Sequence, residues 1–278
     1  MGRVTRRHAV LRMAPGVANR RADTLAVEEP LEVRLNGESF VVTMRTPGDD
    51  IDLTHGLLHS EGVIGSRADI VAARYCDGVG PDGLNTYNVL DVQLGGGVAA
   101  PDPGLRRNVL TTSACGVCGT TTIDQVVRSS RHRLDPALRF RAEVIASAPV
   151  RLREQQRMFE KTGGLHAAGL MTAQGDMVCV REDVGRHNAV DKVVGWAIRE
   201  ERLPLAAMIL SVSGRASFEL TQKAVLAGIP VMAAVSAPSS LAAELATGTG
   251  LTLAGFVRGE SMNIYAHPER ILVPALST

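Results

Sequence analysis

The chain is expected to fold as an α+β amino-terminal half followed by an α/β carboxy-terminal half, and three features of the sequence say so. Alternating apolar and polar residues flank Asn36-Gly37, the strongest short-range hairpin signal. Beyond about residue 165, short and nearly continuous apolar runs alternate with amphipathic segments, the pattern of a covered, mostly parallel sheet. Between the two lies "GGGVAAPDPGLRRN", residues 95–108, rich in glycine and proline and without periodicity. At 278 residues and 45% hydrophobic content, two domains are within reach.

In the first half, "LEVRLNGESFVVTMRTPGDD" predicts two antiparallel strands. In "DIDLTHGLLHSEGVI", Ile51, Leu53, Leu57, Leu58 and Ile64 recur near the helical period, and Gly62 or Gly65 ends the helix. "IVAARYC" and "TYNVLDVQL" read as further strands, and "TTIDQVVRSS" and "PVRLREQQRMFEKT" as helices leading into the second half. There, "LHAAGLMTA" and "MVCVRED" form a hairpin around Gly175-Asp176, and "NAVDKVVGWAIREE" is an amphipathic helix. "AAMILSVSG", "PVMAAVSA" and "LTLAGFVRG" are strands, separated by the helices "SFELTQKAVLAG" and "SSLAAELATG". The boundaries expected are 1–27, an arginine-rich tail; 28–110, an α+β domain; 111–155, a cysteine loop and helical connection; and 156–278, a ligand-binding domain.

Thirty basic residues against twenty-nine acidic leave a net charge of +1, which gives no overall reason for nucleic-acid or membrane binding. The opening "MGRVTRRHAVLRMAPGVANRRADTLAVEEP" has apolar runs too short for a secretory signal, and no stretch approaches the ~20 apolar residues of a membrane span. A cytoplasmic location is expected. In that compartment Cys76, Cys115, Cys118 and Cys179 stay free thiols unless they are catalytic or bind metal.

Ligands of α/β sheets bind beyond the carboxyl ends of the strands, at exposed helix N-termini. Three such ends are small or polar here. "VREDVGRHN" carries Arg181, Glu182, Asp183, Arg186, His187 and Asn188; "SVSGRAS" carries Ser211, Ser213, Gly214, Arg215 and Ser217; "VSAPSS" carries Ser236, Ser239 and Ser240. Glycine admits close backbone approach, serine donates hydrogen bonds, and arginine matches phosphate oxygens, so together they suit an extended, nucleotide-like anion. Ser217 and Asn188 are equally good helix caps. His166, among apolar residues in "GGLHAAGL", reads more readily as a core histidine than as a base. Glu182 and Asp183 would serve as a base or orient Arg181 and Arg186.

The pair Cys115-x-x-Cys118, in "TTSACGVCGTTT", has three uses open to it: metal binding, a redox disulfide, or sulfur carriage. Zinc would need scattered partners, since there is a single knuckle and no His-x3–5-His. A thioredoxin-like pair belongs at a strand–helix junction, whereas this one follows a Gly/Pro-rich loop. Sulfur carriage asks only for a reactive thiolate on a movable loop. Gly116 and Gly119 permit motion, and Arg106 and Arg107 or a helix N-terminus would favour the thiolate.

"TTSACGVCGT", "TGGLHAAGL", "REDVGRHNAVDKVVG", "SVSGRASFELTQKA" and "FVRGESMNIYAHPERI", in this order between about Glu28 and Ile271, closely resemble the FdhD/NarQ family. The resemblance implies a sulfurtransferase that takes sulfane sulfur from a cysteine desulfurase and passes it to the bis(molybdopterin guanine dinucleotide) molybdenum cofactor for formate dehydrogenase. It implies Cys115 as the persulfide carrier, Cys118 as its companion, a homodimer, and a carboxy-terminal domain similar in fold to cytidine deaminases. Its cofactor segment falls on Phe256, Val257, Arg258, Gly259, Glu260 and Ser261, where Glu260 sets an acid against an anionic ligand. Ser213, Gly214, Arg215, Arg186, His187, Lys192 and His166 complete the expected cofactor-binding set, with GDP as a mimic. No resident metal is expected, because the His-x-Glu and Pro-Cys-x-x-Cys of zinc deaminases are missing. The rival reading is a chaperone that delivers the cofactor without transferring sulfur.

Overall fold

The computed structural model describes residues 4–76, 78, 86–99, 107–111 and 123–272. It opens with strands β1 (Thr5–Ala14) and β2 (Val17–Ala26), paired antiparallel along their whole length around Pro15-Gly16. The segment expected to be a tail is thus a ribbon of two ten-residue strands. Its apolar residues are too scattered to suggest a buried strand, and almost none is buried.

Strands β3 (Glu29–Leu35) and β4 (Glu38–Arg45) form the expected hairpin. Asn36 and Gly37 both have positive φ, 51° and 87°, as the tight turn between right-twisted strands demands. Helix α1 (Asp50–Ser60) follows, then β5 (Ile70–Tyr75), β6 (Val89–Leu94) and β7 (Arg107–Thr111). These strands make a five-stranded sheet in the order β5-β6-β3-β4-β7. Leu31, Val33, Phe40, Leu90 and Val92 of the sheet bury against Leu53, Leu58 and Ile64.

Helix α2 (Ile123–Ser129) and the short β8 (Phe140–Arg141) lead to α3 (Ala142–Glu154) and α4 (Arg157–Thr162). The helix expected from Pro149 onward starts seven residues earlier, with Pro149 inside α3, and breaks before α4. The second sheet is built from β9 (His166–Thr172), β10 (Met177–Asp183), β11 (Met208–Val212), β12 (Val231–Ala234), β13 (Thr252–Arg258) and β14 (Ser261–Ala266). Between them run α5 (Arg186–Arg199), α6 (Phe218–Leu226) and α7 (Ser240–Thr249), and β15 (Ile271–Leu272) pairs with β8.

The strand order is β10-β9-β11-β12-β13-β14. Only the β11–β12 and β12–β13 pairings are parallel; hairpins at both edges make the rest antiparallel, so the sheet is mixed rather than mostly parallel. Alternate residues explain its apolar strands. Leu210, Val212, Met232 and Ala234 face α5, α6 and α7, whereas Ile209, Val231 and Ala233 face Val144, Ile145 and Ala148 of α3.

The two halves are locked together by α1 and α5. A Cβ on Gly56 would overlap the carbonyl of Asp191, and one on Gly195 would overlap that of Asp52, so glycine lets the backbones meet. Around this crossing Asp52 accepts from Arg181 and Arg199 at 2.9 and 2.6 Å, and Lys223 donates to Asp191 and Ser60 at 2.7 and 2.8 Å.

Candidate functional site

At the carboxyl ends of β11, β12 and β13 lies a cleft of about 820 Å³, bounded opposite by α3, α4 and the turn before β9. It brings together His166, Ser213, Val257 and Arg258 from three separate stretches of sequence. The fold dictates this gathering, since neighbouring strands present their carboxyl ends to one side. Ser213 Oγ accepts from Ala167 N at 2.8 Å, and Ser213 N donates back to Ala167 O at 3.0 Å. This holds the serine against the start of β9 and leaves its hydroxyl proton to donate.

Gly214 and Arg186 sit just behind. A Cβ at Gly214 would lie 3.5 Å from His166 Nδ1 and 4.0 Å from Arg186 Cδ. Burial, followed by the nearby Arg186 charge, lowers the His166 pKa, so the imidazole is neutral at neutral pH. Arg186 Nε is buried and makes no hydrogen bond among the described residues. A buried donor of that kind is costly unless a ligand or water completes it.

The remaining walls are largely apolar. Leu152, Phe159, Leu165, Val235 and Val257 contribute, and the Arg153 guanidinium lies 4.6 Å from the centre of the Phe159 ring. A cleft with aliphatic and aromatic sides and Arg153 and Arg258 among its lining residues can accept a ring system carrying anionic groups. Arg153 and Phe159 escaped the sequence reading. They belong to no polar strand end, and the only hint was the proximity of α4 to "TGGLHAAGL" in the chain.

Other expected site residues fall elsewhere. Lys192 is fully buried away from the cleft, 2.7 Å from Asp183 Oδ2 and 2.9 Å from Thr46 O. It stands on the inward face of α5, which a motif read as a string does not reveal. His187 is buried at the start of α5, 3.4 Å from Ser217 Oγ and 3.7 Å from Glu219 Oε2. Arg215 is exposed. Glu182 and Asp183 do not orient Arg186: Glu182 accepts from Met158 N and Phe159 N at 2.8 and 2.7 Å, anchoring the start of α4, and Asp183 holds Lys192. Arg181 turns to Asp52.

The segment 256–261 forms the turn from β13 to β14. Phe256 is exposed in a left-handed conformation, φ 51°, at an irregularity in the β13–β14 register between Gly255 and Arg258. For a non-glycine residue this costs of order 1 kcal/mol. Gly259 has φ 57°, Glu260 is exposed, and Ser261 Oγ donates to Arg258 O at 3.1 Å.

Cys115 and Cys118 lie outside the described residues. Of the other thiols, Cys179 is buried and its pKa is pushed up to about 12 by burial, so it is a poor nucleophile, while Cys76 is partly buried. Among the described residues no group of three or more His, Cys, Asp and Glu side chains is arranged to hold a metal ion. No helix there is long and apolar enough to cross a membrane.

Residues 26–272 match the model of the FdhD/NarQ family. The chain belongs to that family. A FdhD/NarQ relative from Nocardia farcinica, named sulfur carrier protein FdhD, is 58% identical over 97% of this chain and 96% of its own length. One from Streptomyces avermitilis, with the same name, is 57% identical over 99% and 98%. A crystal structure from Desulfotalea psychrophila, assigned to a formate dehydrogenase accessory protein, superposes with a TM-score of 0.77 over 97% of this chain and all of its own. At 24% identity that likeness establishes the FdhD/NarQ fold and no more.

Proposed function

We propose that this protein is a sulfur carrier: a cysteine desulfurase loads Cys115 with sulfane sulfur, which is then passed to a bis(molybdopterin guanine dinucleotide) molybdenum cofactor destined for formate dehydrogenase. The observation that carries this reading is the end-to-end match, at 57–58% identity, to relatives named sulfur carrier proteins, in a chain holding Cys115-x-x-Cys118. Loading is a balanced exchange. The Cys115 thiolate attacks the outer sulfur of the desulfurase persulfide, forms a new S–S bond, and releases the donor's thiolate. For release, the Cys118 thiolate attacks the inner sulfur of the Cys115 persulfide, leaving a Cys115–Cys118 disulfide and freeing hydrosulfide. The two electrons that reduce the sulfur come from the two thiols.

The cleft supplies what such a cargo needs. Its apolar walls suit a pterin or guanine ring, and Arg258 with the Ser213 hydroxyl, and Arg186 behind Gly214, suit a pyrophosphate. In this reading the sheet with helices on both faces is a cytidine-deaminase-like frame reused for binding, the protein works as a homodimer, and GDP occupies part of the site.

The test is incubation of the purified protein with a cysteine desulfurase and cysteine, followed by intact-mass measurement and assay of sulfide on the cofactor. The added mass of one sulfur in wild type, its absence in Cys115→Ala, and sulfur delivered to the cofactor are expected. Cofactor delivery and dehydrogenase activation that persist in Cys115→Ala would favour a chaperone without sulfur transfer.

A further inference from the structure

The β1–β2 ribbon stands apart from the cores described above. Ten residues per strand at ~3.4 Å each make an arm roughly 30 Å long. Between Thr5 and Ala26 it carries five arginines, Arg6, Arg7, Arg12, Arg20 and Arg21, against a single acid, Asp23. All five are exposed. This concentration contrasts with a whole-chain charge of +1.

The register sorts the arm into two faces. Directly opposed residues share a face, so Leu11 with Arg20, Met13 with Ala18, Ala9 with Ala22 and Arg7 with Thr24 lie together. On that face Leu11 and Met13, 58% and 75% exposed, lie towards the Pro15-Gly16 turn with Arg20 directly across from Leu11, and Arg7 stands nearer the base. Arg6, Arg12 and Arg21 line the other face.

The arm is rooted beside the cleft. Its β2 strand packs on α4, which supplies Phe159 to the cleft wall, and a Cβ at Gly164, on the cleft's rim, would lie 4.0 Å from Ala26 Cβ. At this same end Val27 N donates to Val4 O at 3.0 Å, closing the base.

We propose that this arm docks an acidic protein surface with an apolar centre, and that the protein it grips is the formate dehydrogenase receiving the cargo, an inference that rests on the proposed function. Exposed apolar side chains beside arginine are the make-up of a protein-binding patch, and clustered charge speeds encounter with an oppositely charged partner. A single-stranded nucleic acid would call for large aromatic platforms, and the arm has no Phe, Tyr or Trp. Its root at the cleft's rim puts the docked enzyme next to the bound cofactor.

Two variants of the full chain test this. One combines Arg6→Glu, Arg7→Glu, Arg12→Glu, Arg20→Glu and Arg21→Glu; the other combines Leu11→Ser and Met13→Ser. Each is measured against purified apo formate dehydrogenase on a biosensor at two salt concentrations. The charge variant should bind about tenfold or more weakly and lose the salt dependence shown by wild type, and the apolar variant should weaken with that dependence kept. GDP affinity and persulfide loading should equal wild type in both, so loss of these in wild type itself would indict the proposed function instead. The docking assignment is overturned if wild type does not bind the dehydrogenase or if both variants bind it as wild type does. It is equally overturned if the loss is confined to a short DNA duplex or to phosphatidylglycerol vesicles, or if light scattering shows that the variants dissociate a dimer.

Discussion

Lys192 Nζ lies 2.7 Å from Asp183 Oδ2, with both side chains almost wholly buried. Asp183 also accepts from Thr46 N at 3.1 Å and Asn188 Nδ2 at 3.0 Å, and Lys192 donates to Thr46 O at 2.9 Å. Because Thr46 follows β4 while the other three belong to β10 and α5, the pair joins the two halves of the chain. Lys192 therefore serves the seam between them and does not touch the cleft.

Removing one partner leaves the other as an uncompensated buried charge. Lys192→Met and Asp183→Ala should each lower unfolding free energy by about 3–5 kcal/mol. Urea denaturation checks this. The double replacement by apolar residues should be milder than either single change, because no lone charge then remains.

Arg258 and Arg186 carry the anion-binding prediction. Arg258→Ala and Arg186→Ala should each weaken GDP binding by about 1.5–3 kcal/mol, the range for charge-assisted hydrogen bonds. Isothermal titration with unchanged affinity in both variants would remove the cleft as the nucleotide site.

His59 gives a pH dependence. It is buried between the halves, and burial, followed by the charges of Arg131, His132 and Lys223, lowers its pKa from 6.5 to about 4. A base depressed in the folded state favours folding fully above its unfolded pKa, and that contribution is lost as pH falls from about 6.5 towards 4. Asp191 works the other way, since burial raises it to about 6 and makes its carboxylate less favourable as pH rises from 3.8 through that value. Thermal denaturation between pH 7 and about 4 should therefore show a net loss in wild type, to which the lowered His55, His132 and His166 add. His59→Gln should make that loss smaller, with the lowered His55, His132 and His166 still opposing Asp191, and an unaltered slope would contradict the assignment.

Cys115→Ala should abolish persulfide formation and dehydrogenase activation with melting temperature and GDP affinity kept. Cys118→Ala should load sulfur yet release it slowly. A structural zinc site predicts the reverse, with metal and stability lost together in either variant, because metal binding at such a site is folding energy. Metal analysis alongside calorimetry distinguishes the two patterns.

Local signals in the sequence were enough for most elements. Asn36-Gly37 announced its hairpin because so few residues tolerate positive φ, and the Gly175-Asp176 turn and helix α5 followed from turn chemistry and period. Ser213 was legible as a candidate because α/β sheets bind ligands at that edge, whereas Arg258 followed from the family resemblance and His166, at the start of β9, read by itself as a core histidine. Cys115 and Cys118 were legible as a motif. What residues from distant segments do to one another is decided in three dimensions. Only the packed helices show that Gly56 and Gly195 exist for a backbone crossing, and that Lys192 points into a seam while Arg186 packs near Gly214. The arm at Thr5–Ala26 was read as a tail because an exposed two-stranded ribbon buries almost nothing, so its sequence carries no apolar period; its strands are defined by their pairing alone.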